Sequence, residues 1–538
     1  MFCFDFDRRP HAAHRAAWHR LLAASAAAVF LLFGAPTMAA DPPPPPQVSS
    51  IAIPPGQIDQ AVGQLDSLAA DLMARSGIPG MAVAVVKEGR TVYAKGFGIR
   101  KAGQPELVDA DTVFQIASLS KSLTGTVVAK QVGAGAVSWA TPVVKHLPWF
   151  TLRDPWVGAH VTVGDLLSHR SGLPDHAGDA LEDLGYKERQ VLERLRLLPL
   201  APFRVTYAYT NFGFTAAASA VAAAAGKDWP TLAEQVLYKP LGMNATSSRF
   251  ADFEQRVNRA VGHIRVGGTY QAKYQRRPDE QSPAGGVSSS ARDLARWMAL
   301  ILQSGTFEGR EIVAATALLP AITAQTISGH SFAPDARPGF YGFGFGVGIS
   351  PSGRTEIKHS GAFAMGAGTT FTLLPSAGVG IVVLTNAAPT GAAEALAADF
   401  TDLVQFGKIE RDWFAAYGRL MVPLTAPSGT LVGAARPANP APAAALSDYV
   451  GSYASDYYGS AEIVLRDGVL RLKLGPAAAV DYPLAHWSGN AFTFHPSSEN
   501  QTDGSISLAT FDGFGAAGAR ILTLEYLDEH GLGAFVRD

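Results

Sequence analysis

From Gln57 onward the apolar positions follow two rhythms. Ile58, Val62, Leu65, Leu68, Leu72 and Met73 recur at the spacing of one helix face. Gly80 to Val86 is then a continuous apolar run that reads as a strand, Glu88-Gly89-Arg90 as a turn, and Thr91 to Phe97 as a returning strand. From about Phe114 to Leu302 the period is mostly helical. Strands return near Phe343–Ile349, Thr355–His359, Gly368–Leu374 and Gly378–Leu384, and Thr390 to Phe406 closes on a helical pattern. An opening hairpin and a closing helix that bracket a helical insert predict an α/β (α+β) fold. One antiparallel sheet is drawn from both chain ends, a helical lobe packs against it, and a cleft lies between them.

Past Phe406 the rhythm loosens. Met421 to Ala445 is rich in Ala, Pro and Gly and reads as a linker. From Leu446 short alternating runs take over. Glu462-Ile463-Val464-Leu465 and Val469-Leu470-Arg471-Leu472 flank Arg466-Asp467-Gly468, a strong hairpin signal. Ala491-Phe492-Thr493-Phe494 and Ile521–Tyr526 continue the series, so a small all-β barrel or sandwich is expected. Before the folded part, four arginines precede an apolar run from Leu21 to Ala35, and small residues follow at Thr37, Ala39 and Ala40. This is the pattern of a secretory signal peptide, and the run is short for a membrane span. Arg8-Arg9 lacks the apolar pair of a twin-arginine signal, because Pro10-His11 follows. The expected organisation is a signal peptide over 1–40, a proline-rich spacer over 41–57, a main domain over 58–405, a linker over 406–445 and a β domain over 446–538. Export to the periplasm or the outside follows, with no membrane span left after cleavage.

Composition narrows the chemistry. The chain has 538 residues, 47% apolar and 17% charged, with a net charge of -2 and no basic tract, which argues against nucleic acid as a partner. The single cysteine, Cys3, lies in the leader, so no disulfide framework or thiol chemistry is available. No H-E-x-x-H or other metal spacing occurs, and neither a metal nor an organic cofactor is expected. The run Tyr341–Gly346 is glycine-rich but lacks the dinucleotide spacing, so tight packing is its expected role. No G-x-S-x-G elbow is present.

Three segments carry candidate chemistry. In Ala117-Ser118-Leu119-Ser120-Lys121, Ser118 and Lys121 stand at i and i+3 on one helix face, a hydroxyl beside an amine. That arrangement serves a serine nucleophile whose base is not histidine. Tyr207-Ala208-Tyr209-Thr210-Asn211 offers a phenol suited to proton relay and a carboxamide suited to holding Lys121 or a substrate amide. Ile357-Lys358-His359-Ser360-Gly361-Ala362 ends a strand. If His359 faces the cleft, Lys358 faces away. Gly361 lets a substrate lie against its backbone, and a main-chain N–H just beyond it is placed for an oxyanion.

These segments together resemble the serine β-lactamase and penicillin-binding superfamily, most nearly the class C β-lactamases, family VIII esterases and CubicO-type hydrolases and D-aminopeptidases. That family carries Ser-x-x-Lys, Tyr-x-Asn and Lys/His-x-Gly in this order. Ile78-Pro79-Gly80, His169-Arg170-Ser171-Gly172-Leu173-Pro174, Pro240-Leu241-Gly242-Met243 and Ala284-Gly285-Gly286-Val287 extend the likeness over roughly residues 58 to 405. The resemblance implies two-step acyl transfer on a small molecule or peptide. Ser118 is the nucleophile, Lys121 or Tyr209 or both the base, and the N–H groups of Ser118 and Ala362 the oxyanion hole. Asn211, His359, Ser360 and Gly361 hold substrate. His359 replaces a lysine found in many β-lactamases, which weakens the permanent positive charge. The expectation therefore moves toward esters, amides or short peptides with D-residues. A β-lactamase proper and a penicillin-binding sensor that does not turn over are the alternatives. His169-Arg170-Ser171-Gly172 is expected to shape a loop of the lobe, and Ser290-Ala291-Arg292-Asp293 to form a capping box. Residues Leu446 to Asp538 resemble the lipocalin-like domain of some CubicO-type proteins, which narrows the active site, promotes homo-oligomer assembly or merely stabilises.

Overall fold

A computed structural model describes Ser49 and residues 51–538. The signal peptide and most of the proline-rich spacer lie outside the described residues. The main sheet has eight strands, all antiparallel. Their order is Arg90–Gly98, Gly80–Lys87, Val379–Thr385, Ala367–Leu374, Thr355–Phe363, Gly346–Ile349, Gly339–Tyr341 and Thr326–Gly329. Gly80–Lys87 pairs with Val379–Thr385 from Met81↔Thr385 to Lys87↔Val379, so both chain ends build the sheet centre.

The unbroken apolar run Gly80–Val86 of strand Gly80–Lys87 follows from burial on both faces. Met81, Val83 and Val85 pack with Leu65, Leu72, Leu396 and Phe400, the inner faces of helices Leu65–Ser76 and Ala392–Phe406. Ala82, Ala84 and Val86 face the other way, into the core shared with helix Ala291–Leu302 and the helical lobe. Small side chains on that face let the helix approach closely. At the start of Ala291–Leu302, Ser290 accepts the Asp293 N–H at 3.2 Å, half of the expected capping box. The Asp293 carboxylate instead takes the Ala245 N–H at 2.8 Å and the Thr246 hydroxyl at 2.9 Å, tying the helix to a neighbouring loop.

The lobe is built around helix Leu119–Gly133, buried along nearly its whole length, and the buried hydroxyls of Ser120, Ser122, Thr124 and Thr126 each donate to a backbone carbonyl. It packs beside Asn211–Ala224 and Ser282–Gly285. The lobe also holds short hairpins, Ile264–Val266 with Thr269–Gln271 and Thr306–Phe307 with Arg310–Glu311, which the helical period did not announce. The glycine-rich run packs against the lobe's centre. Gly344 has φ +89, and a Cβ there would stand 2.3 Å from the Lys121 carbonyl oxygen.

The segment expected as linker is partly helical. Trp413–Thr425 lies on Ala392–Phe406, capped by Asp412 and anchored by the Trp413 indole N–H on Asp402 at 2.6 Å. Its aromatic residues Trp413, Phe414 and Tyr417 supply a burying face that a scan for alanine and proline overlooks. The C-terminal part is a nine-stranded antiparallel sheet, Gly451–Ser455 through Ala534–Arg537, whose edge strands Val480–Pro483 and Ala485–Ser488 are consecutive in the chain and nearly close a barrel. Tyr453, Ile463, Leu472, Phe494, Phe511 and Phe535 fill its interior at alternate positions. Asp467 and Gly468 both have positive φ, as the tight hairpin turn requires. No helix among the described residues is long and apolar enough to cross a membrane.

Candidate active site

Ser118 heads helix Leu119–Gly133 as its N-cap. The chain enters through Ala117, whose φ of +47 is a left-handed value that a non-glycine residue holds at a cost of about 1–3 kcal/mol. This kink turns the serine out of the short Phe114–Gln115 strand and onto the helix. Lys121 follows one turn later, and its ammonium nitrogen lies 3.3 Å from Ser118 Oγ. Tyr209 arrives from the loop before helix Asn211–Ala224, and its hydroxyl donates to Ser118 Oγ at 2.8 Å. One oxygen therefore sits between an amine and a phenol that are remote in sequence.

Lys121 is fully buried. It donates to Asn211 Oδ1 at 2.7 Å and to the Ala284 carbonyl at 3.0 Å, and it lies over the Tyr209 ring. All these partners are neutral. Burial therefore lowers its pKa to about 7, opposed only by the charge of Asp179. Burial pushes the Tyr209 phenol well above its ordinary value, with the Ser118 hydrogen bond acting in the opposite sense. In the resting site the phenol keeps its proton, and Lys121 is the group poised to accept one near neutrality.

The strand Thr355–Phe363 supplies the facing wall. Ser360, Gly361 and Ala362 line the cavity with Ser118, Tyr209 and Asn211. Gly361 lies directly on the backbone at Ser118: a Cβ there would stand 2.9 Å from Ser118 N and 2.5 Å from Ile116 O. Any larger residue would push the strand off the serine. His359 differs from expectation. It is 9% exposed and is not among the residues lining the cavity. Its Nδ1 meets the Ser360 carbonyl at 2.6 Å and its Nε2 the Tyr341 hydroxyl at 2.8 Å. A carbonyl only accepts, so Nδ1 carries the proton and Nε2 accepts from the tyrosine. Burial, and secondarily Lys121, lowers its pKa to about 4, and the ring is neutral. Strand alternation sends Lys358 to the opposite face, where it pairs with Glu356 at 2.9 Å.

Asp179 and His176, which carry no local sequence signal, and the His169 loop complete the site. Asp179 Oδ2 accepts from Asn211 Nδ2 at 2.8 Å and contacts His176 Nδ1 at 2.9 Å, so it orients the amide that holds Lys121. His169 accepts the Thr210 N–H at 3.2 Å, and its ring centroid lies 4.5 Å from that of Tyr209. The His169-Arg170-Ser171-Gly172 loop thus fixes the Tyr209 loop. Among the described residues no group of three His, Cys, Asp or Glu side chains is placed to hold a metal ion.

The cavity measures ≈ 690 Å³, and the main domain forms only part of it. Met421 and Leu424 of helix Trp413–Thr425, with Tyr457, Tyr458, Glu499 and Glu529 of the barrel, close the remaining sides. Polar contacts fasten the barrel there. Glu499 accepts the Ala364 N–H at 2.6 Å, Asp183 accepts from Ser498 at 2.6 Å and Asn500 at 2.9 Å, and the Tyr186 hydroxyl donates to the Tyr458 carbonyl at 2.8 Å. Arg276 is their buried counter-charge, 2.6 Å from Glu182 and 4.0 Å from Glu499. Burial raises Glu182 and Asp183, and raises Glu499 to about 7. Raised carboxyl values favour the folded state at low pH, and for Glu499 that contribution is lost as pH rises from 4.5 through about 7. Replacing Arg276 with Leu strands these carboxylates and is expected to destabilise the protein by about 3–5 kcal/mol. The thermal midpoint should fall further at pH 8 than at pH 5.5, roughly either side of that titration; an unchanged midpoint at both would refute the assignment.

Comparison with known proteins places these features. A family model described as Beta-lactamase matches residues 65–406, and a second, described as Domain of unknown function (DUF3471), matches residues 435–525. The unguisins hydrolase ungD of Aspergillus violaceofuscus is 28% identical over 455 residues, 77% of this chain and 80% of that protein. The D-alanyl-D-alanine-carboxypeptidase/endopeptidase AmpH of Escherichia coli is 27% identical over 253 residues, 45% of this chain and 63% of that one. The solved structure of the octameric penicillin-binding protein homologue from Pyrococcus abyssi aligns with a TM-score of 0.57 at 22% identity, covering 88% of this chain and 100% of the other, a likeness of fold. Since the first model spans more than half of the sequence, and the sheet, the lobe and the serine at their junction all fall inside it, the chain belongs to the beta-lactamase family.

Proposed function

We propose that the protein is a serine hydrolase that works through an acyl-enzyme on esters, amides or short peptides. The observation that carries this reading is Ser118 Oγ held at 2.8 Å from the Tyr209 hydroxyl and 3.3 Å from Lys121 Nζ. Neutral Lys121 takes the Ser118 proton as Oγ bonds to the substrate carbonyl carbon. The N–H groups of Ser118 and Ala362 receive the oxyanion, and one such donor is worth roughly 3–4 kcal/mol. The carbonyl then re-forms and the bond to the leaving nitrogen or oxygen breaks. The leaving group takes a proton delivered through the Tyr209 phenol, which is resupplied by Lys121. Water repeats the sequence on the acyl-enzyme, releases the acid and returns the proton to Ser118. A hydrolase named for unguisins supports hydrolysis, and a D-alanyl-D-alanine-carboxypeptidase/endopeptidase among the relatives supports acyl transfer at a peptide bond.

The β-lactamase alternative is weakened by His359, which is neutral and turned to Tyr341, where a cation would hold a substrate carboxylate. Incubation with a fluorophosphonate should add one adduct mass located at Ser118, and incubation with p-nitrophenyl acetate should give an adduct that clears. Labelling elsewhere sinks the nucleophile. An acetyl adduct that persists would favour the penicillin-binding sensor.

A further inference from the structure

Helix Trp413–Thr425 carries one apolar stripe, Trp413, Tyr417, Met421 and Leu424, at i, i+4, i+8 and i+11. The main domain covers its first half. Trp413, Phe414 and Tyr417 pack on the cluster that includes Leu396 and Phe400. A Cβ at Gly391 would stand 2.8 Å from the Tyr417 carbonyl carbon and from the Gly418 nitrogen, so the two backbones cross there. Past the crossing that cover ends. Among the described residues, Leu420, Met421, Val422 and Leu424 belong to none of the apolar clusters, and Leu420, Val422 and Leu424 are 67%, 62% and 50% exposed. Met421, Pro423 and Leu424 line the same cavity as Ser118. The stripe therefore runs off its support and over the site as an apolar roof. The charged groups of the neighbouring wall are engaged elsewhere: Asp183 accepts from Ser498 and Asn500, Glu499 accepts the Ala364 and Met365 N–H groups, and Arg276 pairs with Glu182. The roof offers a ligand apolar area and no charge.

We propose that Met421 and Leu424 are specificity-determining residues, and that the roof they form receives an uncharged apolar substituent of the substrate. The preferred substrates are then esters, amides or peptides with an extended alkyl or aromatic group beside the bond that is cut. This rests on the serine-hydrolase reading and names the substrate class of that site. The substrate is the occupant because the roof is continuous with the cavity over Ser118, and a group of that kind removes the exposed face of Leu424 from water.

The test measures kcat/KM of the full protein on two series of esters. The p-nitrophenyl esters of acetate, butyrate and hexanoate lengthen the acyl part, and ethyl, butyl and hexyl acetate lengthen the alcohol part. At least one series should rise by about two- to fourfold for each added methylene, the transfer free energy of one buried CH₂. Met421→Ser and Leu424→Ser should each lower the longest-to-shortest ratio of that series by roughly three- to tenfold, and the double variant should bring it near unity. Leu420→Ser, on the same helix but outside the cavity lining, should leave the ratio where it was. A flat profile in both series overturns the proposal. So does a ratio that the double variant does not move, or one that Leu420→Ser lowers as much. Sedimentation of the wild type and the double variant covers the other occupant: an assembly that the double variant breaks while the ratio holds assigns the stripe to a second copy and overturns the proposal too. Ester hydrolysis that survives Ser118→Ala overturns the hydrolase reading itself, whereas a flat profile that still depends on Ser118 overturns only the roof.

Discussion

Replacing Ser118 with Ala is expected to lower kcat/KM on p-nitrophenyl acetate by about 10⁴- to 10⁶-fold, the scale seen when a serine hydrolase loses its nucleophile. Among the described residues the hydroxyl is the one side-chain atom that both Lys121 and Tyr209 hydrogen-bond, at 3.3 Å and 2.8 Å, and its removal leaves the proposed proton path without its donor. The fold should be indifferent, because Ser118 is an N-cap that makes no side-chain capping bond. An unchanged thermal midpoint with lost activity is thus the expected pair of results. Tyr209→Phe keeps the ring that packs on His169 and Lys121 but deletes the relay hydroxyl. It should cost about 10²- to 10⁴-fold, the usual range for one general acid or base. Retention of full esterase activity in Ser118→Ala would remove the basis for the proposed chemistry.

The second large effect concerns Lys121. Burial holds its pKa at about 7, so the fraction able to accept a proton grows as pH rises through that value. Activity should fall about tenfold per pH unit below the inflection and level off above it. Lys121→Arg retains positive charge but never releases its proton. Its larger guanidinium must also fit against Asn211, Ala284 and Tyr209 in a fully enclosed space. A loss of at least about 10²-fold at every pH follows, with the acid limb abolished. A wild-type profile flat from roughly pH 6 to 8 would show that Lys121 is not the base, since a base of this pKa must titrate there.

Local features were legible because their causes are local. The i, i+3 spacing of Ser118 and Lys121 puts both on one helix face wherever that helix sits. Asp467-Gly468 fixes its own turn through two positive φ values. The apolar run over Gly80–Val86 records burial on two faces. The family likeness joined the three segments, which no single segment's pattern could do. The helix Trp413–Thr425 went unseen because its burying face depends on Ala392–Phe406 being there to receive it. The family likeness puts His359 at the cleft, and alternation then sends Lys358 the other way. Alternation states which face a side chain takes; it does not state that Tyr341 and the Ser360 carbonyl wait there to satisfy both ring nitrogens.

The sequence by itself determined the strand and helix periods, the order of the motifs and the spacing that puts Ser118 beside Lys121. Only the tertiary structure decided that Asp179 backs Asn211, that Arg276 gathers carboxylates from two domains, and that Tyr457, Tyr458, Glu499 and Glu529 wall the cavity above Ser118. The physical reason is separation along the chain. Tyr209 is 91 residues from Ser118 and Ser498 is 315 from Asp183, and contacts at such distances depend on how whole elements pack, which no short window of residues encodes.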